Sequence, residues 1–258
     1  MELYAHFHPD ERPFVDRALD WIEQASEFHT WKTTDFLDPR QAFIVESLAR
    51  RDGNVQVYLY GGYPEAERKR ACIAPDYAQL TDEDLPMVVL AIESDDEKIG
   101  SLDHGDYLGA LLGLGIKRDK VGDIHVRPDG CHCIISGEMA SYVDLHLRQV
   151  HRVHVHTEVV SLDKLQPTQT AFEELNLSVA SLRLDGIVSD VVRMSRAKIL
   201  APIKAGRCKV NWRVVEDPSF ALHEGDVVSL QGFGRFKIFE LQGQTKTGRI
   251  RLKIGKYV

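Results

Sequence analysis

Cysteine is scarce in this chain: there are four in 258 residues, Cys72, Cys131, Cys133 and Cys208, and they follow no paired spacing. That excludes a disulfide-stapled extracellular scaffold, and free thiols in a reducing compartment are expected. Long apolar runs are also missing. The longest, such as Met87 to Ile92 and Leu108 to Ile116, fall well short of the roughly 20 residues that cross a bilayer, so no membrane partner is expected. The opening string MELYAHFHPDE has neither a basic stretch nor an apolar core, so no secretion signal is expected and a cytoplasmic location follows. The chain has no internal repeat, no low-complexity tract and no HExxH, GxSxG or Walker string, which removes the commonest signatures of metalloprotease, hydrolase and nucleotide chemistry.

What is present is the material of a folded protein: 43% hydrophobic and 28% charged residues, enough apolar surface for real cores. The length exceeds one ordinary domain of about 150 residues, so two or three units are expected. The net charge of −7 hides a partition. Residues 183–258 hold 15 Lys and Arg against 7 Asp and Glu, a local +8, while residues 1–182 hold 17 against 32, or −15. A basic C-terminal third on an acidic body points to a polyanion-binding module.

Three units are expected, all α+β. In the first, residues 1–80, apolar residues at spacings of three and four predict a helix from Pro9 to His29. A second helix runs from Pro39 to Arg51, capped by Asp38 and closed by Gly53. Strands Val55–Tyr60 and Arg70–Ala74 follow. In the second, residues 81–165, strand Pro86–Glu93, helix Asp106–Leu114, strands Ile124–Arg127 and Cys131–Ser136, helix Gly137–Gln149 and strand Val153–Val159 give the ferredoxin-like, RRM-like split βαβ order. Ser161–Thr170 reads as a linker. The third unit, residues 181–258, has helix Asp185–Val192, a second helix capped by Ser195 and ending at Gly206, and then short basic strands.

The string SLRLDGIVSDVVRMSRAKILAPIKAGRCKVNWRVVEDPSFALHEGDVV resembles the RNA-binding (alpha-L) domain first described in small-subunit ribosomal protein S-four. The likeness lies at Arg183, Leu184, Asp185, Ser195, Arg196, Ile203, Gly206, Val210, Asn211, Gly225 and Asp226. HGDYLGALLGLGIKRDKVGDI, KVNWR, GFGRFK and the ending GRIRLKIGKY are similar to the YlmH family, from about Asp103 onward. The resemblance implies a ribosome-associated RNA-binding protein without catalytic activity or cofactor. Its partners would be large-subunit ribosomal RNA, tRNA and the large subunit itself, around stalled subunits that hold peptidyl-tRNA. Two residues depart from the wider pattern: Pro202, which removes a donor inside the second helix and is expected to kink or shorten it, and Trp212, where many relatives carry glycine.

The physical case stands beside the likeness. RNA duplexes offer phosphates and 2′-hydroxyls more readily than base edges, and a rigid basic helix pair can recognise that shape. Ser195, Arg196 and Lys198 begin a helix, where side-chain charge adds to the positive end of the dipole. Arg183, Lys204, Arg207, Lys209, Arg213, Arg235, Lys237, Lys246, Arg249, Arg251 and Lys253 extend the cationic surface, and Asn211 is the candidate for a hydrogen bond to sugar or backbone. Arg183 and Asp185 have a structural reading of nearly equal weight. Lys117, Arg118 and Lys120 form a second candidate contact, an exposed basic loop.

Other constellations have blander readings. Cys131, His132 and Cys133 with His151, His154 and His156 invite zinc, but the spacing is wrong and, in the split βαβ order, the two strands are separated by a third. No metal is expected. In GALLGLGIKR, Gly109 and Gly113 are expected to allow close packing and Gly115 to end a helix, with no nucleotide or small-molecule substrate. The competing classes are an RNA-modifying enzyme of pseudouridine-synthase type, a ribosome-assembly factor, and a protein adaptor using the acidic body. The first finds its only RLD string, Arg183–Asp185, already used by the binding module, with too few residues after it.

Overall fold

The computed structural model describes residues 3–257, and its contacts group into two compact units, residues 9–168 and residues 169–257 with 3–8. The first opens on α1 (Arg12–Phe28), preceded by a short 3-10 turn at Pro9–Glu11. Val15, Ala18, Ile22 and Ala25 form its buried stripe, as the spacing requires. After β1 (Lys32–Thr33) comes α2 (Pro39–Asp52). Asp38 Oδ1 accepts from the Gln41 amide at 2.8 Å and Gln41 Oε1 from the Asp38 amide at 3.0 Å, a reciprocal cap worth about 1 kcal/mol. Gly53, at φ 83°, closes the helix. β2 (Val55–Tyr60) and β3 (Arg70–Pro75) complete a sheet of order β1-β3-β2.

The same unit continues with β4 (Met87–Glu93), α3 (His104–Gly113), β5 (Val121–Arg127), β6 (Gly130–Ser136), α4 (Ala140–His146), β7 (Gln149–Val150), β8 (Val153–His154) and β9 (His156–Val160). The sheet order is β5-β6-β4-β9, every neighbour antiparallel. On one face Tyr107 and Leu111 of α3 and Val143 of α4 pack against Leu90, Ile92, Cys131 and Cys133. The other face is covered as well. Ile134 lies in one cluster with Phe36, Cys72, Leu85 and Met87, and a Cβ on Gly122 would come within 2.8 Å of the Phe36 ring. Asp123 accepts from the Glu67 amide at 2.7 Å, the Arg68 amide at 3.0 Å and the Tyr63 hydroxyl at 2.8 Å. These links join the chain before residue 80 to the sheet after it.

Three details differ from expectation. The helix expected over Gly137–Gln149 is α-helical only over Ala140–His146, because Leu147 leaves helical dihedrals as the chain enters the β7–β8 hairpin. The strand expected over Val153–Val159 breaks at Val155, whose amide donates back to the Arg148 carbonyl at 3.0 Å. His154 and His156 therefore belong to different sheets. Gly109 and Gly113 pack against nothing, a Cβ at either meeting no atom within 4 Å. Gly115 does stand just past α3, at φ 83°.

The second unit begins just past the expected linker with β10 (Phe172–Val179), whose Leu175, Leu177 and Val179 alternate toward the core. Then come α5 (Leu184–Val192), α6 (Arg196–Lys204), β11 (Cys208–Val210), β12 (Arg213–Val214), β13 (Val227–Leu230), β14 (Gly234–Gln244) and β15 (Ile250–Tyr257), the strands forming one antiparallel sheet of order β10-β15-β14-β13-β11-β12. Leu184, Ile187, Val188, Ile199 and Ile203 of the two helices bury against Val228, Phe236, Ile238, Leu252 and Ile254. Pro202 does not cut α6 short, since the helix continues to Lys204. Pro202 deprives the Lys198 carbonyl of its partner four residues on, and Lys198 is exposed, so water can take that place.

Candidate nucleic-acid interface

The cationic residues of the second unit sit in two neighbourhoods, set by α6 and by the sheet. Ser195 holds the N-cap position with extended dihedrals, but its hydroxyl makes no capping bond. Its carbonyl accepts from the Lys198 and Ile199 amides at 2.9 and 3.2 Å. The first-turn amides thus keep no side-chain cap while Arg196 and Lys198 stand exposed beside them, an arrangement suited to an anion. Lys204 lies at the other end of the helix, about 12 Å from Arg196 along the axis at 1.5 Å per residue. It does not join that cluster.

Asp185 organises the arginines around α5. Arg183 grips it through two bonds of 3.1 Å, and Asp185 Oδ1 also accepts from the Gly186 amide at 2.8 Å. The Arg183 hydrogen bond is the main cause that holds this carboxyl below its ordinary range, and the charge of Arg196 adds to it. The Arg196 guanidinium lies over Gly186, 2.5 Å from where a Cβ would stand, so any side chain at this position would have to push that flexible arm aside. One buried carboxylate thus pairs with Arg183 and lies in the field of Arg196.

Asn211 and Trp212 form the two-residue turn between β11 and β12 with φ of 49° and 63°, the left-handed pair that such a hairpin needs. Asn211 is strongly engaged within the fold. Its Oδ1 accepts from the Val227 amide at 2.9 Å, its Nδ2 donates to Asp226 at 2.8 Å, and its own amide donates to the Val227 carbonyl at 2.8 Å. Trp212 has a role its position in the sequence did not reveal: the Arg235 guanidinium lies 5.7 Å from its ring centroid and 4.0 Å from that of Tyr257.

Across the sheet the core side chains take one face and most of the basic ones the other, Lys256 excepted, which is in register with Phe236 at the edge of the core face. Lys209, Ser229 and Arg235 stand in one register row, and Lys237 pairs with Gly255 in the next. Arg251 lies opposite Ser178, and Lys253 forms a 2.9 Å ion pair with Glu174. Arg213 and Arg207 are exposed close to the β11 edge. Lys246 is exposed in the β14–β15 turn, and Arg249, beside it, donates to the Ser178 carbonyl, with its Nε at 3.1 Å.

The second candidate loop is not an array of three free cations. Only Lys117 is exposed. Arg118 turns inward onto the Val121 carbonyl, where burial and the neighbouring Arg68 lower its pKa to about 10. Lys120 is held by Asp35 at 2.6 Å and Glu138 at 2.9 Å. The segment around Phe36, whose amide donates to the Asp119 carbonyl at 2.8 Å, packs onto this loop, a long-range contact that local charge does not reveal.

The cysteine and histidine groups stay apart. Cys131 and Cys133 are buried on β6, their sulfurs 3.5 Å from each other, and burial pushes the Cys131 thiol well up. β9, which carries His156, lies beyond β4 from β6. Cys208 is buried in the second unit, its thiol pushed up to about 12.

Residues 10–78 match the family model described as "YlmH, N-terminal", and residues 81–164 the one described as "Putative RNA-binding domain in YlmH". The chain is 38% identical over 251 residues, 97% of either chain, to the ribosome-associated protein quality control protein P2 of Bacillus subtilis (strain 168). A solved structure, the cell division protein ylmH from Streptococcus pneumoniae, is similar with a TM-score of 0.54 and 24% identity, over 64% of this chain and 99% of that one. That likeness speaks to the fold.

Proposed function

Because the chain belongs to the YlmH family, we propose that it is a non-catalytic, cytoplasmic RNA-binding protein that acts on the large ribosomal subunit carrying peptidyl-tRNA, in ribosome-associated quality control. The match to an RNA-binding family model and the name of the Bacillus subtilis relative support a ribosome-associated RNA-binding role. Large-subunit RNA and tRNA as the particular partners are our reading.

One observation carries it: the local charge of +8 in an otherwise acidic chain is laid out on the start of α6 and on one face of the C-terminal sheet. In this reading the α6 amides, Arg196 and Lys198 take one phosphate group. Lys209, Arg235, Lys237 and Arg251 follow the backbone along the sheet, and the acidic remainder restricts which polyanion surfaces the chain can approach. We read residues 181–258 as an S-four-type domain, with β10 added to its sheet. Residues 81–165 we read as ferredoxin-like, on the strand order β5-β6-β4-β9. In that reading the open sheet face on which RRM domains stack bases is filled here by Ile134, Phe36 and their neighbours. RNA contact by residues 81–164 would then use helices or loops. We keep the division into 1–80, 81–165 and 181–258 as a proposal that limited proteolysis can check.

The pseudouridine-synthase alternative gains nothing from Asp185, which is buried, paired with Arg183 and bonded to the Gly186 amide. Co-sedimentation with isolated ribosomal subunits across a salt series, with and without peptidyl-tRNA, tests the proposal. Selective large-subunit binding that peptidyl-tRNA strengthens is the expected result. No subunit binding at low salt would reject it.

A further inference from the structure

A cavity of about 250 Å³ opens in the second unit between the end of α5, the start of β10 and the β13–β14 turn. Leu175, Val191 and Val192 give it apolar walls, and Phe233 closes one side. Drug-sized ligands occupy clefts of about 300–1,000 Å³, so this one is matched to a single planar ring. Charge lies around it: Glu173 and Lys256 face each other at 3.9 Å, and Arg193 stands alongside.

Two of these residues sit in positions that folding alone does not favour. Phe233 is 42% exposed. It is carried at a turn between Gly232 and Gly234, at φ of 86° and 93°, where the Phe233 amide donates to the Leu230 carbonyl at 3.0 Å. Arg193 occupies the left-handed position after α5 with φ 54° and its amide bonded to the Ser189 carbonyl. Glycine is the usual residue there, and any other side chain adds strain. Among the described residues no carboxylate forms an ion pair with Arg193. Arg207, whose carbonyl accepts from the Gln231 amide at 3.0 Å, brings a further exposed cation to the same turn.

We propose that this cavity receives one unpaired RNA base, stacked on Phe233, with Arg193 on its phosphate and Glu173 and Lys256 at its polar edge. The inference rests on the RNA-binding reading above and adds a preference for RNA with an unpaired nucleotide. Charge favours this occupant. The surface around the cavity is cationic, with one carboxylate already balanced by Lys256, whereas an acidic or neutral protein side chain would leave the exposed aromatic face and the arginines less well used. Stacking a base on an aromatic ring is tolerant of base identity, since every base has a π face.

The test uses the full chain and two fluorescein-labelled RNAs in fluorescence anisotropy: a blunt hairpin, and the same hairpin with a short single-stranded extension. The wild type is expected to bind the extended RNA about tenfold or more tightly, the scale of one stacked base. Phe233→Ala and Arg193→Gly are expected to erase that preference while keeping affinity for the blunt hairpin, and Phe233→Tyr to retain it. Arg193→Gly relieves backbone strain, so its melting temperature is expected to hold or rise, which separates lost binding from lost folding. Equal wild-type affinity for the two RNAs overturns the inference, as does a preference that survives both variants or that Phe233→Leu preserves as well as tyrosine does. Variants that keep both RNA affinities but lose ribosomal subunits would assign the cavity to a protein side chain. A wild type that binds neither RNA rejects the RNA-binding reading itself, and this inference with it.

Discussion

His125 on β5 and His132 on β6 stand directly opposite one another in the sheet, both buried, and both rings face the segment that follows β9. The Thr168 amide donates to His125 Nδ1 at 3.2 Å. The Gln166 amide points at His132 Nδ1 at 3.2 Å, while the Arg127 guanidinium lies 2.7 Å from His132 Nε2. A neutral imidazole has one acceptor nitrogen and a charged one has none, so protonating either ring sets it against donors. These two histidines fasten the end of the first unit only while they are neutral.

The pH dependence follows from that pair. Burial lowers the pKa of both rings, and for His132 the Arg127 charge lowers it further. The unfolded chain therefore binds protons that the folded one refuses, so their contribution to stability is complete above about pH 6.5 and is lost as pH falls through the lowered folded values. Urea midpoints are expected to be flat from pH 8 to 7 and to fall between pH 6 and 5, above the range where carboxylates titrate. The double variant His125→Gln, His132→Gln should flatten that fall. A wild-type midpoint unchanged down to pH 5 would release the histidines from this role.

Arg196 and Lys198 should act on RNA through charge. Replacing both with alanine is expected to lower affinity and reduce the slope of log K against log salt by about one unit for each phosphate that is no longer neutralised. Lys204→Ala, at the far end of α6, should change the slope independently of that pair. Fluorescence anisotropy across a salt series measures both, and an unchanged slope in the double variant would remove the start of α6 from the interface.

Asn211 calls for a different outcome from the one its place in the sequence suggests. It closes the β11–β12 turn and bonds Asp226 and Val227, so Asn211→Ala is expected to cost about 1–3 kcal/mol of stability, through orphaned hydrogen bonds and a left-handed alanine. At temperatures where the variant is folded, its RNA affinity should match that of the wild type. Chemical denaturation followed by binding on the folded fraction checks it, and a large affinity loss without destabilisation would restore Asn211 to the interface.

The features legible in the sequence are those with local causes. Asp38 and Gly53 mark both ends of α2, and the apolar spacing of Ala18, Ile22 and Ala25 needs only one helix, although Phe28, on the same pattern, is exposed. β10 carried a readable signal, the alternation of Leu175, Leu177 and Val179, obscured by the acidic and polar residues between them. The fate of Lys120 could not be read locally, because it depends on Asp35, more than eighty positions away. The same holds for the packing of Phe36 on Gly122, and for Asn211, whose partners lie on the next strand of the sheet. Charge in a sequence locates cations, while the fold decides which of them are already neutralised.

Gly109 and Gly113 put the same division between local and distant causes to a direct test. They lie in α3, where glycine costs about 0.5–1 kcal/mol relative to alanine, and a Cβ at either would meet no atom within 4 Å. Gly109→Ala with Gly113→Ala is therefore expected to stabilise the isolated protein. The melting temperature should rise by about 2–4 °C per kcal/mol gained. Affinity for a blunt RNA hairpin should not change, because the cationic surface assigned to RNA lies in the other compact unit. A thermal melt decides the first point and anisotropy the second. A lower melting temperature would mean that α3 needs the glycines for its own backbone, whereas a stabilised double variant that no longer sediments with the large subunit would place the open glycine face of α3 in direct contact with the ribosome.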